Sequence, residues 1–347
     1  MAIKIYPNRI EFERFSLVIN ETGVVVTRNA DPTNTTAYGT FTAADTGIGG
    51  SLFQGTVAGY SAGGYVTPGT PASNVIDKFP FAFNADASDV GDLSQARTGS
   101  AGQKSTIFGY TSGGFPLINT IDKFPFTAPF ATATNVGCLS QGRAFITGQS
   151  SSISGYTSGG SLGPPGGNSN VIDKFPFASN STATNVGCLS QARQTPGGQS
   201  SFISGYTSGG NLGAPGLTNT IDKFPFAVDL NATDVGDLTQ TRAGTAGQSS
   251  TVSGYNSGGG TPTDVNTIDK FPFATDSNAS DVGDLTVCRR EFGGTGISSV
   301  SSGYTQGGVV VETANDTIDK FPFASDSNAT DVGNLTVGRR HGVGTQV

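Results

Sequence analysis

Short runs that mix apolar and polar positions recur through most of the chain, and glycine pairs interrupt the runs. The stretch 199–209 reads Gln-Ser-Ser-Phe-Ile-Ser-Gly-Tyr-Thr-Ser-Gly. A mixture dominated by Thr, Ser, Val, Phe, Gly and Asn, with few helix formers, predicts short strands joined by tight turns rather than helices. In this unit we expect inner strands over 199–205 and 206–209, a third over 220–224 and an outermost one over 235–239. Gly209-Gly210 supplies positive-φ positions where the chain leaves the sheet. Pro225 has no N–H to give a ladder, so it ends the third strand or lies at an edge. Asn231-Ala232-Thr233-Asp234 reads as a turn.

The unit recurs. IDKFPF begins at Ile76, Ile121, Ile172, Ile221, Ile268 and Ile318. GYxxGG precedes each copy, from Gly59, Gly109, Gly155, Gly205, Gly254 and Gly303. Each is followed by VG(D/C/N)LxxxR, whose arginines are Arg97, Arg143, Arg193, Arg242, Arg289 and Arg339. A unit of roughly fifty residues cannot bury a core alone, so neighbours must stack, and a ring removes the exposed ends. The expected fold is all-β, a six-bladed β-propeller over 49–347. The phenylalanines at the IDKF position, such as Phe224, are expected between blades. The run after Arg339 resembles the opening of a further unit. It is expected to supply the innermost strand of the first blade, with 51–57 as the competing segment.

These elements together resemble the kelch repeat. Tyr206-Thr207-Ser208-Gly209-Gly210, Asn219-Thr220-Ile221-Asp222-Lys223-Phe224, and Leu238 four residues before Arg242 match its three parts in order. The resemblance covers roughly 50–347, although the family's Trp has no counterpart. It implies a β-propeller.

Residues 1–48 lie outside the repeat. Ile3/Ile5, Ile10/Phe12, Leu17/Ile19 and Val24/Val26 alternate with polar residues, and Asn20-Glu21-Thr22-Gly23 is a turn signal. Two or three strands with an apolar face are expected. We read them as a docking or oligomerisation arm, with Ile3, Ile5, Ile10, Phe12, Leu17 and Ile19 as its assembly residues.

Composition narrows the chemistry. A net charge of −7 disfavours nucleic acid as a partner, and no run of 18 apolar residues predicts membrane insertion. The N-terminus carries no secretory h-region. Cys138, Cys188 and Cys288 do not suggest a disulfide framework, and the first two are expected to be small buried residues. The single histidine, His341, leaves no catalytic Ser-His-Asp or Cys-His set. No catalytic residue, cofactor or metal is expected. Asp276-Ser277-Asn278-Ala279-Ser280 opens like a calcium loop, but Asp281 stands where the glycine is required. The Asn231, Asn278 and Asn328 sequons read as turns. Asp222, Lys223 and Arg242 recur in every unit and are expected to be structural.

What varies is the segment between GG and IDKF. Tyr65, Phe115, Leu162, Leu212, Thr261 and Val309 mark six such loops, expected on one face as candidate recognition residues, with drift in unconstrained loops as the alternative. The whole resembles IDKFPF-repeat virion proteins of bacteriophages, cyanophages above all. That resemblance implies a non-enzymatic structural or attachment protein on the virion, in a tail, fibre or capsid-decorating role. Its partners would be other virion proteins, further copies of itself, and a host-surface glycan or protein. A carbohydrate-binding propeller and a cytosolic kelch adaptor are the alternatives.

Overall fold

The structure, a computed structural model, describes residues 53–66, 72–128, 132–214 and 216–347, and five strands that precede them. The chain divides into two compact units, Met1–Ser51 and Leu52–Val347. Among the described residues every regular element is a strand.

The second unit is a six-bladed β-propeller, each blade built on an antiparallel sheet of four strands, with Gly294–Thr295 added in parallel to the innermost strand of blade 5. Blade 4 shows the plan. From the axis outward it runs Gly197–Ser200, Ser204–Asn211, Leu217–Pro225 and Thr233–Asp237. Sequence had placed the first turn later and the outermost strand two residues too far on. The turn lies at Ser201–Ile203, where the Ser201 hydroxyl accepts the main-chain N–H of Ser204 at 3.0 Å. Asp234, which reads as a turn residue, pairs with Asp222 in the ladder. Pro225 ends the third strand as expected.

Two packing rules repeat around the ring. At the axis each innermost strand carries a glycine: Gly102, Gly148, Gly198, Gly247, Gly296 and Gly344. A Cβ on Gly148 would lie 2.0 Å from the Gly102 carbonyl oxygen, so the backbones meet where no side chain fits. Farther out, Phe224 lies across Gly205, its partner in the ladder. Its ring packs on Tyr156 of blade 3, centroids 5.5 Å apart, and Phe226 stacks on the same tyrosine at 4.8 Å. Phe79, Phe124, Phe175, Phe224, Phe271 and Phe321 are all buried between blades.

The recurring charges join blades. Arg193 has no exposed surface, and its Nη2 lies 2.9 Å from Asp222 Oδ2. It also donates to the Thr207 carbonyl at 2.9 Å. Asp222 accepts the N–H of Ser190, in the turn after the outermost strand of blade 3, at 2.9 Å. The same buried pair is Arg97–Asp122, Arg143–Asp173, Arg242–Asp269, Arg289–Asp319 and, between the sixth blade and the first, Arg339–Asp77. The repeated lysines reach the next blade at the rim, as in Lys223–Asp276 at 3.0 Å. Their exposure makes each of these worth little.

The ring closes with the C-terminal strand, Val343–Gln346, which pairs with Ala58–Ala62 as the innermost strand of blade 1. Residues 53–57, the described part of the competing segment, do not enter this ladder. Main-chain N–H groups of Thr56, Val57 and Ala58 instead bond the Val347 oxygen at 2.7–3.0 Å.

The first unit is a meander of five strands, Lys4–Tyr6, Arg9–Glu11, Phe15–Asn20, Gly23–Arg28 and Thr40–Phe41, more than the two or three expected. Phe15–Asn20 and Gly23–Arg28 pair through Asn20↔Gly23, the position of the turn signal. By register Ile5, Ile10, Leu17, Ile19, Val24 and Val26 share one face. Ile3 and Phe12 lie outside the described residues.

Candidate functional site

After each repeat arginine the chain returns to the axis, and the residue two positions on turns with positive φ. These residues are Gly99 (64°), Phe145 (57°), Thr195 (55°), Gly244 (66°), Glu291 (61°) and His341 (52°). A left-handed conformation costs a non-glycine residue about 1–2 kcal/mol. It is held here by hydrogen bonds passed round the ring. Phe145 N donates to Gly99 O at 2.6 Å, Thr195 N to Phe145 O at 2.8 Å, and Gly244 N to Thr195 O at 2.9 Å. Phe292 N donates to Gly244 O at 3.3 Å, His341 N to Glu291 O at 2.6 Å, and Gly99 N to His341 O at 3.1 Å. One backbone geometry thus presents six different positions at the mouth of the axis.

Beside this ring is an open cavity of about 350 Å³, set toward blades 4 and 5. Phe145, Thr195, Glu291 and His341 line it, with Gln194, Asn211, Leu217, Thr261 and Arg290 around them. His341 packs edge-on against Phe145, centroids 5.0 Å apart. Glu291 is the electrostatic centre. Its Oε2 lies 2.9 Å from Arg340 Nη1 and 3.4 Å from His341 Nε2. The hydrogen bond from His341 holds the carboxyl at about 2, with the charges of His341 and Arg340 adding to it against the opposing effect of burial. Arg290 divides its guanidinium between Asp264 at 2.6 Å and Glu312 at 2.8 Å. The result is a patch with an aromatic edge, two side-chain amides and a carboxylate held below its ordinary range. It is equipped to hold a polar ligand. A carboxyl at about 2 is poorly matched to proton transfer near neutral pH.

The loops after each GG lie on this same face, because each pairs with the connection that carries a ring residue. The bridges are Tyr65↔Arg340, Thr98↔Phe115, Ala144↔Ser161, Gln194↔Asn211, Ala243↔Gly260 and Arg290↔Val309. Of the loop residues singled out from sequence, only Thr261 lines the cavity. Phe115 is half exposed, and Leu162 and Leu212 are partly buried. Tyr65 lies under Arg340, whose guanidinium carbon is 5.2 Å from the ring centroid. Val309 is a correction. It is 1% exposed because it pairs with Ala314 and with Arg290, and the exposed loop residue is Val311.

Sequence reasoning missed Phe145, Thr195 and Glu291, and treated His341 only as a solitary histidine. The available signal was positional: two residues after an invariant arginine, the six units carry five different residue types.

The remaining candidates have structural placements. Asp276 pairs with Lys223, and Asn278 Oδ1 accepts the N–H of Asp237 at 3.0 Å. Asn231 and Asn328 accept from Cys188 and Asp284 in the same way, each tying a turn to the preceding blade. Cys138 and Cys188 are only half-buried, not enclosed as expected, since they end outermost strands at the rim. Cys288 is exposed. Among the described residues no three His, Cys, Asp or Glu side chains cluster as a metal site. No protein-family model matches the chain, and comparison with curated proteins finds no match.

Proposed function

We propose that the chain is a non-enzymatic recognition protein of a phage virion, with a kelch-like propeller that presents its axial mouth to a host-surface glycan or protein. One observation carries this reading. A frame copied six times with the same buried Arg–Asp pair changes its side chains at the ring of left-handed residues and in the loops bonded to it. Variation on one face of a rigid scaffold is the usual arrangement of a binding surface. The apolar face shared by strands of the first unit supports an assembly role for that unit, toward other virion proteins or further copies. The low value held by Glu291 supports binding rather than acid–base catalysis.

The test has two arms. Mass spectrometry of purified particles should find the protein, and its absence from them would end the virion reading. Purified protein should compete with particles for adsorption to host cells, and the double variant Glu291→Gln/Phe145→Ala should compete at least tenfold less well. Equal competition by the two would remove the axial mouth from the reading.

A further inference from the structure

The opposite end of the axis is sealed, and one charged group is enclosed there. The innermost strands end at equivalent positions with Lys104, Ser150, Ser200, Ser249, Ser298 and Gln346. Phe53 and Gln54 close this end: Phe53 is 4% exposed and meets Phe202 edge-on at 5.4 Å. The Gln54 amide donates to the carbonyls of Ser249 at 3.1 Å and Ser299 at 3.0 Å. Lys104 arrives from blade 2, opposite blade 5, and its Nζ donates to the Gln54 main-chain oxygen at 2.6 Å. The ammonium therefore belongs to the axial region itself. Lys104 is 6% exposed and, among the described residues, has no carboxylate partner. The Val347 oxygen is engaged by the amides of Thr56, Val57 and Ala58.

An enclosed cation without a counter-charge is costly. The surroundings are suited to supply one. Lys104 N donates to the Ser150 hydroxyl, Ser150 N to Ser200, Ser200 N to Ser249, and Ser249 N to Ser298, each at 2.9–3.0 Å. All four hydroxyls are thus acceptors of a main-chain N–H, and none donates to a protein acceptor in the structure. Four O–H protons and the remaining N–H groups of the ammonium face this end, where the Gln346 side-chain oxygen is a buried acceptor without a partner. Beside them is a cavity of about 30 Å³, lined by these serines and Lys104. It has room for a single small ion and its water, and not for a tetrahedral oxyanion.

We propose that the sealed end of the axis holds one monovalent halide, chloride under cellular conditions, bound by Lys104 Nζ and the serine hydroxyls. The Lys104 ammonium and the hydroxyl protons favour an anion there over a second cation. Burial lowers the Lys104 amine to about 8, so it remains largely charged at neutral pH and retains the demand for an anion.

The experiment is thermal unfolding of the full chain at pH 7 in sodium gluconate, with chloride substituted at constant ionic strength. A bound ion raises Tm with its concentration, and a shift of roughly 2–4 °C is expected by 200 mM chloride. Lys104→Met should abolish the shift. Lys104→Ser, which restores the residue of four other blades, guards against misfolding of the first variant and should abolish it too. A crystal of the unaltered protein grown in sodium bromide should show one anomalous peak within hydrogen-bonding reach of Lys104 Nζ. An equal chloride response in the protein and both variants, or a bromide-grown crystal with no such peak, would overturn the proposal.

Discussion

Arg193 illustrates how much one side chain can join. It leaves one blade and bonds only to the next, through a carboxylate and main-chain carbonyls. Removing its partner strands the guanidinium in a buried site. Asp222→Ala should cost about 3–5 kcal/mol, measured by urea denaturation; a cost below about 1 kcal/mol would mean that the pair is not held as described. Replacing both members with apolar residues should recover much of the loss, because the penalty comes from the orphaned charge. Glu291 gives the pH counterpart. Its folded value of about 2 lies below its ordinary 4.5, so its contribution is complete above 4.5 and is lost as pH falls toward 2. Tm should therefore decline across that interval more steeply in the unaltered protein than in Glu291→Gln. Parallel curves would show that Glu291 does not titrate in that interval.

At the scale of the element, the strands were legible wherever motif and chemistry coincided. IDKFP marks the third strand because Ile221 and Phe224 enter the core while Asp222, between them, holds the buried ion pair. The first turn was hidden because Phe202 and Ile203 look like strand residues, while the bend is closed by the Ser201 hydroxyl and by the Ser201 N–H, which donates to the Ser204 carbonyl at 2.8 Å. The axial mouth was hidden for a different reason. Its members are unlike in chemistry and share only a backbone angle, which no pattern of apolar and polar residues records. The clasp strand could be read, because the tail imitates a unit's opening. Truncation after Arg340 deletes the ladder from Val343↔Ala62 to Gln346↔Gly59. It should lower Tm sharply, by more than about 5 °C in a calorimetric scan, and an unmoved transition would contradict the pairing.

For the whole molecule, the division at Ser51/Leu52 separates a strand meander from a ring with its own six interblade cores. Deleting residues 1–51 should leave a cooperative unfolding transition near that of the full chain, while lowering the mass seen by light scattering if the meander joins copies. Retention of the full assembly by the deleted form would assign association to the propeller instead. The closure itself has a consequence for crowded conditions. The slot beside Ala58–Ala62 is specific for four residues but indifferent to which molecule supplies them. A ring opened at this joint presents both a vacant slot and a loose strand, the two halves of a domain swap. Brief warming at high concentration should therefore produce exchanged dimers and longer chains that persist on cooling, built from native contacts alone. The joint that completes the monomer is thus also the point at which the protein would first polymerise.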